Sequence, residues 1–392
     1  MEEYSIHQFS KKLLQKSVFP QLKDYLMWQS GQKKLKDINF APVCLNLDLT
    51  SACSNSCDHC IDKSVLNTGQ QLDFNYLKNV ISFWKKQGLK SVIVVGGGEP
   101  TLHPKFEEMI KFLKKLNLQV GIASNGSRLE CIENICHLLE KKDWVRLSLD
   151  AATNKTYDQI HHPRLDVSLE SILAQVKKMR KKNNKFQMGF SFLIIGDNKK
   201  VGKTKLVGNV KEIFLAAKAA RDNGFSYFAP KPFISPEGTR KTTISPKNLK
   251  EIRNEINRAK KLDNKTFRVV ESINLLCFYD KKLGQVMKKQ PKTCHAQFFK
   301  TVANPGGVFL CSYWRGFENL KAVDVNKKAG AAYLEKLAKN SEKKMQEFNA
   351  KKFCKDVHCV YGAFNCWADK MIKSPEQIEK LEAIADFDDY FI

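Results

Sequence analysis

The sequence predicts an α/β fold in which residues 41–232 form a partial (β/α)6 TIM-like barrel and a small α+β domain follows. Short β-branched runs alternate with amphipathic helical stretches in this region, and such alternation is typical of a parallel sheet. Glycines and small polar residues follow several of the runs, where the carboxyl ends of barrel strands carry active sites. The chain has 12 cysteines, and most of them fall into two groups.

The predicted elements follow in chain order. Residues 91–95 are a β-branched run bounded by glycines, which indicates a buried strand. Residues 106–116 have apolar side chains at Ile110, Leu113 and Leu116, the spacing of a helix that buries one face. Residues 186–196 and 225–230 are predicted to be the fifth and sixth strands.

The chain divides into four predicted parts. Residues 1–40 form a helical extension that we expect to pack onto the barrel, with contact to a membrane surface as the alternative. Residues 41–232 are the barrel, and the Lys-rich residues 233–290 form a helical connection. Residues 291–392 form the small cysteine-containing domain. No run approaches 18 apolar residues, so no transmembrane segment is predicted.

Three cysteines lie on one short loop. Cys53, Cys57 and Cys60 have three and then two residues between them. Cysteine thiolates bind iron–sulfur clusters, so this loop can hold three irons of a [4Fe–4S] cube and leave one iron open. Zinc is the alternative, with His59 as a fourth ligand, because structural zinc accepts mixed Cys/His sets.

A glycine motif follows the strand at residues 91–95. It reads Gly96-Gly97-Gly98-Glu99-Pro100. Glycines let a ligand approach the backbone closely at a strand end, and the Glu99 carboxylate could accept a hydrogen bond from a ligand ammonium. The alternative is a tight strand-to-helix turn in which Glu99 caps the helix.

Together the cysteine loop and the glycine motif resemble the radical S-adenosylmethionine (radical SAM) superfamily. The resemblance implies that Cys53, Cys57 and Cys60 hold a [4Fe–4S] cluster whose open iron is chelated by S-adenosylmethionine. Residues 118–124 and 144–151 resemble the third and fourth strands of that family. By this resemblance, His59 lies against the adenine of the cofactor. Gly97, Gly98 and Glu99 surround its methionine moiety. The other cofactor-binding positions of the family correspond to Ser124, Asn125 and Ser148. The last three could equally be turn residues that satisfy backbone groups. No catalytic residue is assigned beyond the cluster ligands.

The second cysteine group lies near the C-terminal end. Cys294 is followed after eleven residues by Gly306 and after four more by Cys311, and the intervening Pro305-Gly306-Gly307 predicts a hairpin turn. The spacing resembles the SPASM extension, or its shorter twitch form, found after many radical SAM cores. The resemblance implies one auxiliary [4Fe–4S] cluster, because too few cysteines remain for two. Its candidate ligands are Cys294, Cys311, Cys354, Cys359 and Cys366. Zinc is again the alternative, with His358 as a candidate ligand.

The composition limits the partners. Twelve cysteines without a secretory signal indicate a reducing, cytoplasmic environment. The net charge is +25, and residues 171–210 hold ten Lys or Arg against one acid, Asp197. A basic rim attracts anionic partners, although such runs are usually only a solvated face. No helix-turn-helix or zinc-finger pattern is present, but RNA is kept open as a substrate.

The resemblance predicts an enzyme that cleaves S-adenosylmethionine reductively and abstracts a hydrogen atom from a substrate. A reductase, flavodoxin or ferredoxin would supply the electron, and the auxiliary cluster would assist an oxidation. We expect an anionic sugar or nucleoside type of substrate. The alternatives are a ribosomally made peptide, an RNA, or a non-catalytic iron–sulfur scaffold.

Overall fold

The structure of the protein is a computed structural model that describes residues 9–39, 41–237, 243–325, 330–355, 357 and 359–392. Its strands are β1 (Cys44–Leu47), β2 (Ser91–Val94), β3 (Gln119–Ser124), β4 (Trp144–Ser148), β5 (Gln187–Ile194), β6 (Lys200–Val201), β7 (Thr204–Lys205), β8 (Tyr227–Pro232), β9 (Arg268–Val269), β10 (Lys300–Asn304), β11 (Gly307–Phe309) and β12 (Lys321–Val323). Its helices are α1 (Phe9–Leu13), α2 (Phe19–Gln29), α3 (Phe74–Gln87), α4 (Phe106–Lys115), α5 (Leu129–Ile135), α6 (Asn154–His161), α7 (Leu169–Lys182), α8 (Ile213–Asp222), α9 (Pro246–Lys260), α10 (Ile273–Tyr279), α11 (Lys281–Lys288), α12 (Ala296–Phe299), α13 (Ala331–Glu347), α14 (Ala350–Phe353), α15 (Gly362–Ile372) and α16 (Pro375–Glu379).

The predicted α/β fold is confirmed. Within the described residues, ten strands form one sheet in the order β12-β11-β10-β1-β2-β3-β4-β5-β8-β9. Every pair from β10 to β9 is parallel, whereas β10, β11 and β12 pair antiparallel. The carboxyl ends of β1 to β5 and β8 therefore lie at the same edge of the sheet, as a partial barrel requires.

The small C-terminal domain shares this sheet. Its first strand, β10, pairs in parallel with β1, so that Cys44 lies opposite Lys300 and Leu47 opposite Ala303. The sequence predicted a hairpin after Asn304, and β10 and β11 form it. The barrel and the cysteine-containing region are therefore joined by backbone hydrogen bonds.

The helices cover the sheet through one apolar core. In α4, Met109, Ile110 and Leu113 are buried, as the predicted helical spacing requires. The local sequence also sets helix ends: the Tyr76 backbone N–H donates to Asp73 at the start of α3, and Gly88 ends that helix with φ of 122°. Burial of these faces is the main stabilising contribution.

The N-terminal helices pack mainly against the C-terminal domain, whereas the sequence led us to expect the barrel. The ring of Phe9 lies 4.5 Å from that of Phe364, and the ring of Tyr25 lies 4.6 Å from that of Phe298. All four rings belong to a second apolar core that also includes Val43, just before β1. Residues 1–8 of the predicted extension lie outside the described residues.

Residues 384–392 cover the amino-terminal end of the barrel. Ser91 Oγ donates to the Tyr390 carbonyl at 2.6 Å, and the Tyr390 N–H donates to Gln119 Oε1 at 3.1 Å. The Phe391 ring lies 5.5 Å from the ring of Trp144. Because Ser91, Gln119 and Trp144 begin neighbouring strands, access to the barrel interior is left at the carboxyl ends.

Among the described residues, the structure contains no helix with both the length and the apolar character needed to cross a membrane.

Candidate functional site

The cysteine loop follows β1 at the carboxyl edge of the sheet. Cys53, Cys57 and Cys60 are partly exposed. Burial raises the pKa of the Cys57 thiol, and the neighbouring Cys60 and Cys53 thiolates raise it further. The loop therefore brings the three thiols close enough to interact, as their spacing predicted.

Two neighbouring segments hold this loop. On one side, Asn125 Nδ2 at the end of β3 donates to Ser54 Oγ at 3.0 Å. On the other, the segment after α6 donates through the Arg164 N–H to the Ser54 carbonyl at 2.8 Å, and the Ser56 N–H donates to the His161 carbonyl at 3.0 Å. The loop is thus held at several points of its backbone.

Gly98 packs directly against the cysteine loop. A Cβ atom there would lie 2.3 Å from the Ala52 carbonyl oxygen and 2.6 Å from that of Thr50, closer than real Cβ contacts. The adjacent Glu99 N–H donates to the same Ala52 carbonyl at 2.8 Å. Gly97 is different, because its Cβ would meet nothing closer than 3.4 Å. Gly98 is therefore required by contact between two chain segments.

The Glu99 carboxylate is buried and accepts hydrogen bonds from protein groups. Its Oε1 accepts from Ser124 Oγ at 2.8 Å and from Thr101 Oγ1 and the Thr101 N–H at 2.6 and 3.2 Å, and its Oε2 accepts from the Asn125 N–H at 2.7 Å. Burial raises the pKa of Glu99, and these hydrogen bonds oppose the rise. Glu99 thus joins the ends of β2 and β3, which agrees with the capping alternative. Its contact with a ligand stays a prediction.

The sequence gave no signal for His161, which the fold places beside Cys57. Its Nδ1 lies 3.3 Å from the Cys57 sulfur, and its Nε2 lies 3.0 Å from the Leu149 carbonyl oxygen. The side chain is buried, and burial lowers the pKa of His161 to about 4, so the ring is neutral. His161 ends α6, and only the tertiary packing brings it to the loop.

His59 lies in the same group. One ligand atom each from Cys57, His59 and His161 fall within 4.8 Å of one another among the residues searched. A mixed Cys/His set of this kind can also bind zinc, so the zinc alternative extends to His161. The remaining predicted position, Ser148, is partly buried at the end of β4, opposite Ser191 of β5.

The second cysteine group assembles around the β10–β11 hairpin. Burial raises the pKa of the Cys294 thiol, with further contributions from Cys311 and Cys354. Burial also raises the pKa of Cys359, to which Cys294, Cys354 and Cys311 all contribute. These four thiols therefore interact with one another. Asn365, which the sequence did not indicate, is fully buried with its Nδ2 lying 3.6 Å from the Cys294 sulfur.

Cys366 lies apart from these four. Its sulfur is 3.3 Å from the Lys289 carbonyl oxygen, and the side chain is partly exposed. Burial and Asp369 raise the pKa of Cys366, with no contribution from another cysteine. His358, the candidate zinc ligand, lies outside the described residues.

A cavity of about 490 Å³ extends between the two cysteine groups. Ile61, next to Cys60, lines it on the loop side, and Tyr313 and Tyr361 line it on the side of the second group. The barrel contributes Arg146 from β4 and Lys231 from β8. A ligand in this cavity would therefore lie between the two sets of thiols.

Arg315 ties the two sides of the cavity together. Its guanidinium donates to both oxygens of Asp48 at 2.8 and 2.7 Å and to the Gly96 carbonyl at 2.9 Å. Its Nε lies 3.4 Å from Asp62 Oδ1. Burial raises the pKa of Asp48 to about 6, and Arg315 opposes the rise. The residue four positions after Cys311 thus contacts the end of β1, the glycine motif and the cysteine loop.

Relatives of known sequence match about a third of this chain. Mycofactocin maturase MftC of Mycobacterium tuberculosis is 31% identical over 122 residues, which are 31% of this chain and 30% of MftC. The cofactor-modifying protein of tungsten-containing aldehyde ferredoxin oxidoreductase from Pyrococcus furiosus is 31% identical over 137 residues, 34% of this chain and 38% of that protein. The matched segment thus spans about a third of the length of these relatives.

Solved structures share the fold over more of the chain. Streptococcus suis SuiB bound to S-adenosylmethionine has a TM-score of 0.53 at 16% identity, covering 73% of this chain and 64% of SuiB. The anSMEcpe structure with bound AdoMet and Kp18Cys peptide has a TM-score of 0.52 at 13% identity, covering 86% of this chain and 98% of that one. Residues 47–205 match the family description "Radical SAM superfamily". Together with the cysteine loop, the glycine motif and the parallel barrel, this match shows that residues 47–205 form a radical SAM domain.

Proposed function

We propose that the protein is a radical SAM enzyme that oxidises a substrate bound in the cavity between its two cysteine groups. The cavity carries this proposal, because it borders both Ile61, beside Cys60, and Tyr361, close to Cys359. A substrate there would have one group of thiols on each side. A redox carrier would not need an internal space of about 490 Å³, which argues against the scaffold alternative.

Cys53, Cys57 and Cys60 would hold the first [4Fe–4S] cluster. The donor set fits, because the loop supplies three interacting thiols and thiolates are the ligands of such clusters. With S-adenosylmethionine bound, such a cluster would supply the electron for reductive cleavage of the cofactor, and the resulting 5′-deoxyadenosyl radical would abstract a hydrogen atom from the substrate. The Leu149 carbonyl can only accept, so the neutral His161 ring donates to it from Nε2–H, and the unprotonated Nδ1 faces the Cys57 sulfur and can accept from its thiol. These two contacts hold the ring between the Leu149 carbonyl and Cys57.

The cofactor-binding positions are proposed on the family pattern and on their place at the strand ends. A Cβ atom on Gly97 would meet only ordinary contacts, none closer than 3.4 Å, and Asn125 Nδ2 lies 3.9 Å from the Cys53 sulfur. Glu99 and Ser124 would act by holding these backbone segments in place. His59 and Ser148 are kept as proposed contacts of the adenosine part.

We propose that Cys294, Cys311, Cys354 and Cys359 hold one auxiliary [4Fe–4S] cluster and that Cys366 is not a ligand. The four are the thiols that influence one another's pKa, whereas Cys366 interacts with Asp369 and Lys289. Four thiolates satisfy one cube. The auxiliary cluster would accept an electron from the substrate, and a reductase, flavodoxin or ferredoxin would supply electrons to the first one.

The names of the relatives cover several substrate classes. They include a mycofactocin maturase, a cofactor-modifying protein, a nucleotide dehydratase and a heme synthase. YydG of Bacillus subtilis, whose name refers to peptide biosynthesis, is also among them, so the names cover peptides, cofactors and nucleotides. We therefore infer the substrate class from the residues that line the cavity, with a peptide or an RNA as the alternative substrate.

The test uses anaerobically reconstituted full-length protein with a strong reductant. Wild type should release 5′-deoxyadenosine, and the variant Cys53→Ala/Cys57→Ala/Cys60→Ala should release none. Cys294→Ala/Cys311→Ala should lose about four irons, one cube, yet still cleave S-adenosylmethionine. Cys359→Ala should behave likewise, and Cys366→Ala, its matched control, should keep the iron content of wild type.

Three results would contradict parts of this proposal. Fully loaded wild type without 5′-deoxyadenosine would favour the scaffold. Loss of zinc in place of iron would replace a cluster by a zinc site, including one on Cys57, His59 and His161. A loss of about eight irons from the Cys294/Cys311 variant would mean two auxiliary clusters.

A further inference from the structure

The cavity between the cysteine groups carries a charge imbalance. Four charged side chains line it: Arg146, Lys231, Glu271 and Arg315. Two of these are neutralised locally. Arg315 is paired with Asp48 and Asp62, and Glu271 forms an ion pair with Lys260.

Arg146 and Lys231 have no ion pair or hydrogen bond with any residue in the described ranges. The Arg146 guanidinium lies over the ring of Trp144, 5.1 Å from its centroid, which leaves its N–H groups free to donate. Asp150 is the nearest acid to Lys231 that affects its titration. However, the Asp150 Oδ1 accepts from the Leu193 N–H at 2.6 Å, and its Oδ2 faces His59 and His161.

The environment of Lys231 is that of a cation without a counterion. Burial and the Arg146 charge, opposed by Asp150, together lower the pKa of Lys231 to about 7. Two cations in one partly enclosed space repel each other and are poorly solvated. An anion placed against both would remove the repulsion and supply the missing hydrogen-bond acceptors.

The cavity wall also offers a neutral donor. Ser272 Oγ is buried and has no hydrogen-bond partner among the residues that the structure describes, and Ser272 lines the same cavity. A buried hydroxyl without a partner is costly. A ligand oxygen in the cavity would accept a hydrogen bond from this hydroxyl as well as from the two cations.

We propose that Arg146, Lys231 and Ser272 form a subsite for an anionic group of the substrate, a carboxylate or a phosphate. The proposal rests on the proposed function and specifies its substrate class. Arg146 and Lys231 come from β4 and β8, two strands on either side of β5, so the subsite is built on the rigid barrel. It would anchor the substrate and present another part of it to the cysteine loop near Ile61.

The experiment measures anion binding without radical chemistry. Full-length reconstituted protein is titrated with inorganic phosphate by ³¹P NMR line broadening, and acetate is then added as competitor. Lys231→Met and Arg146→Met should each weaken phosphate binding by about tenfold or more, the loss expected for one charge-assisted hydrogen bond. Arg146→Lys should keep most of the affinity, and Ser272→Ala should lose less than either cation.

The matched control is Lys177→Met, which removes one exposed lysine of α7 and should leave phosphate binding unchanged. Displacement of phosphate by acetate indicates a carboxylate-bearing substrate, and resistance to acetate indicates a phosphate-bearing one. The proposal is overturned if wild type binds neither anion, or if the Lys177 variant loses as much as the Lys231 variant. If Lys231→Met does not fold, Lys231→Gln takes its place in the phosphate titration. Release of 5′-deoxyadenosine is scored separately, so either proposal can fail alone.

Discussion

Replacing Glu99 with glutamine removes the charge from a carboxylate that holds two strand ends together. The carboxylate accepts four hydrogen bonds, two of them from the backbone N–H groups of Thr101 and Asn125. A glutamine amide must point its NH2 group at one of these backbone donors. The hydroxyls of Thr101 and Ser124 can rotate to accept from it, but a backbone N–H cannot. At least one buried donor is therefore left without an acceptor in either orientation of the amide.

The expected loss follows from this count. A buried donor left unsatisfied costs about 1–3 kcal/mol, and the remaining bonds lose their charge assistance. Removing a buried charge recovers part of this, because burial raises the pKa of Glu99. We therefore expect Glu99→Gln to destabilise the barrel by about 2 kcal/mol, and hence to lower the thermal midpoint of this 392-residue chain by about 2 °C.

The assay is the thermal midpoint by circular dichroism, together with iron content after reconstitution. Glu335→Gln, at an exposed position of α13, is the matched control and should leave the midpoint unchanged. Ser124→Ala removes one donor to Glu99 and should cost about 1 kcal/mol. Combined with Glu99→Gln, it should cost less than the sum of the two, because both changes affect one network. A midpoint for Glu99→Gln within about 1 °C of wild type would refute the reasoning.

Two further predictions concern buried polar groups. Arg315→Met leaves Asp48 buried without its cation and should lower the free energy of unfolding by about 3–5 kcal/mol. Adding Asp48→Asn should restore much of the lost stability in thermal unfolding. Equal midpoints for the single and the double variant would contradict the pairing. His103 must be neutral, because its ring lies 3.0 Å from the Leu72 carbonyl and accepts from the Lys105 N–H at 3.1 Å, and burial lowers the pKa of His103. The contribution of neutral His103 to the free energy of unfolding is complete above a pH of about 6.5, and it is lost as the pH falls through the lowered pKa of the folded state. His103→Gln should therefore reduce the acid dependence of the unfolding free energy by up to about 1.4 kcal/mol per pH unit, measured by urea titration at several pH values, and an unchanged slope would show that His103 is not the group responsible.

The sequence was sufficient for the features that depend on short stretches of chain. The spacing of Cys53, Cys57 and Cys60 already places three thiols on one loop. The alternation of strands and helices predicted the parallel sheet, because burial of a strand on both faces and of a helix on one face leaves a different periodicity in each. The Pro305-Gly306-Gly307 turn predicted the hairpin that β10 and β11 form.

Tertiary packing decided which distant residues meet these local features. His161, Arg315 and Asn365 carry no sequence motif, yet each reaches a cysteine or its loop across a long chain separation. Cys366 follows the spacing of the second group but lies on a face of α15 away from it, so spacing alone could not separate it from Cys359. A pairing such as β10 with β1 gains its stability only after a long loop has closed. Local sequence therefore determines the elements and their turns, and only the closed chain determines which charges and thiols share one cavity.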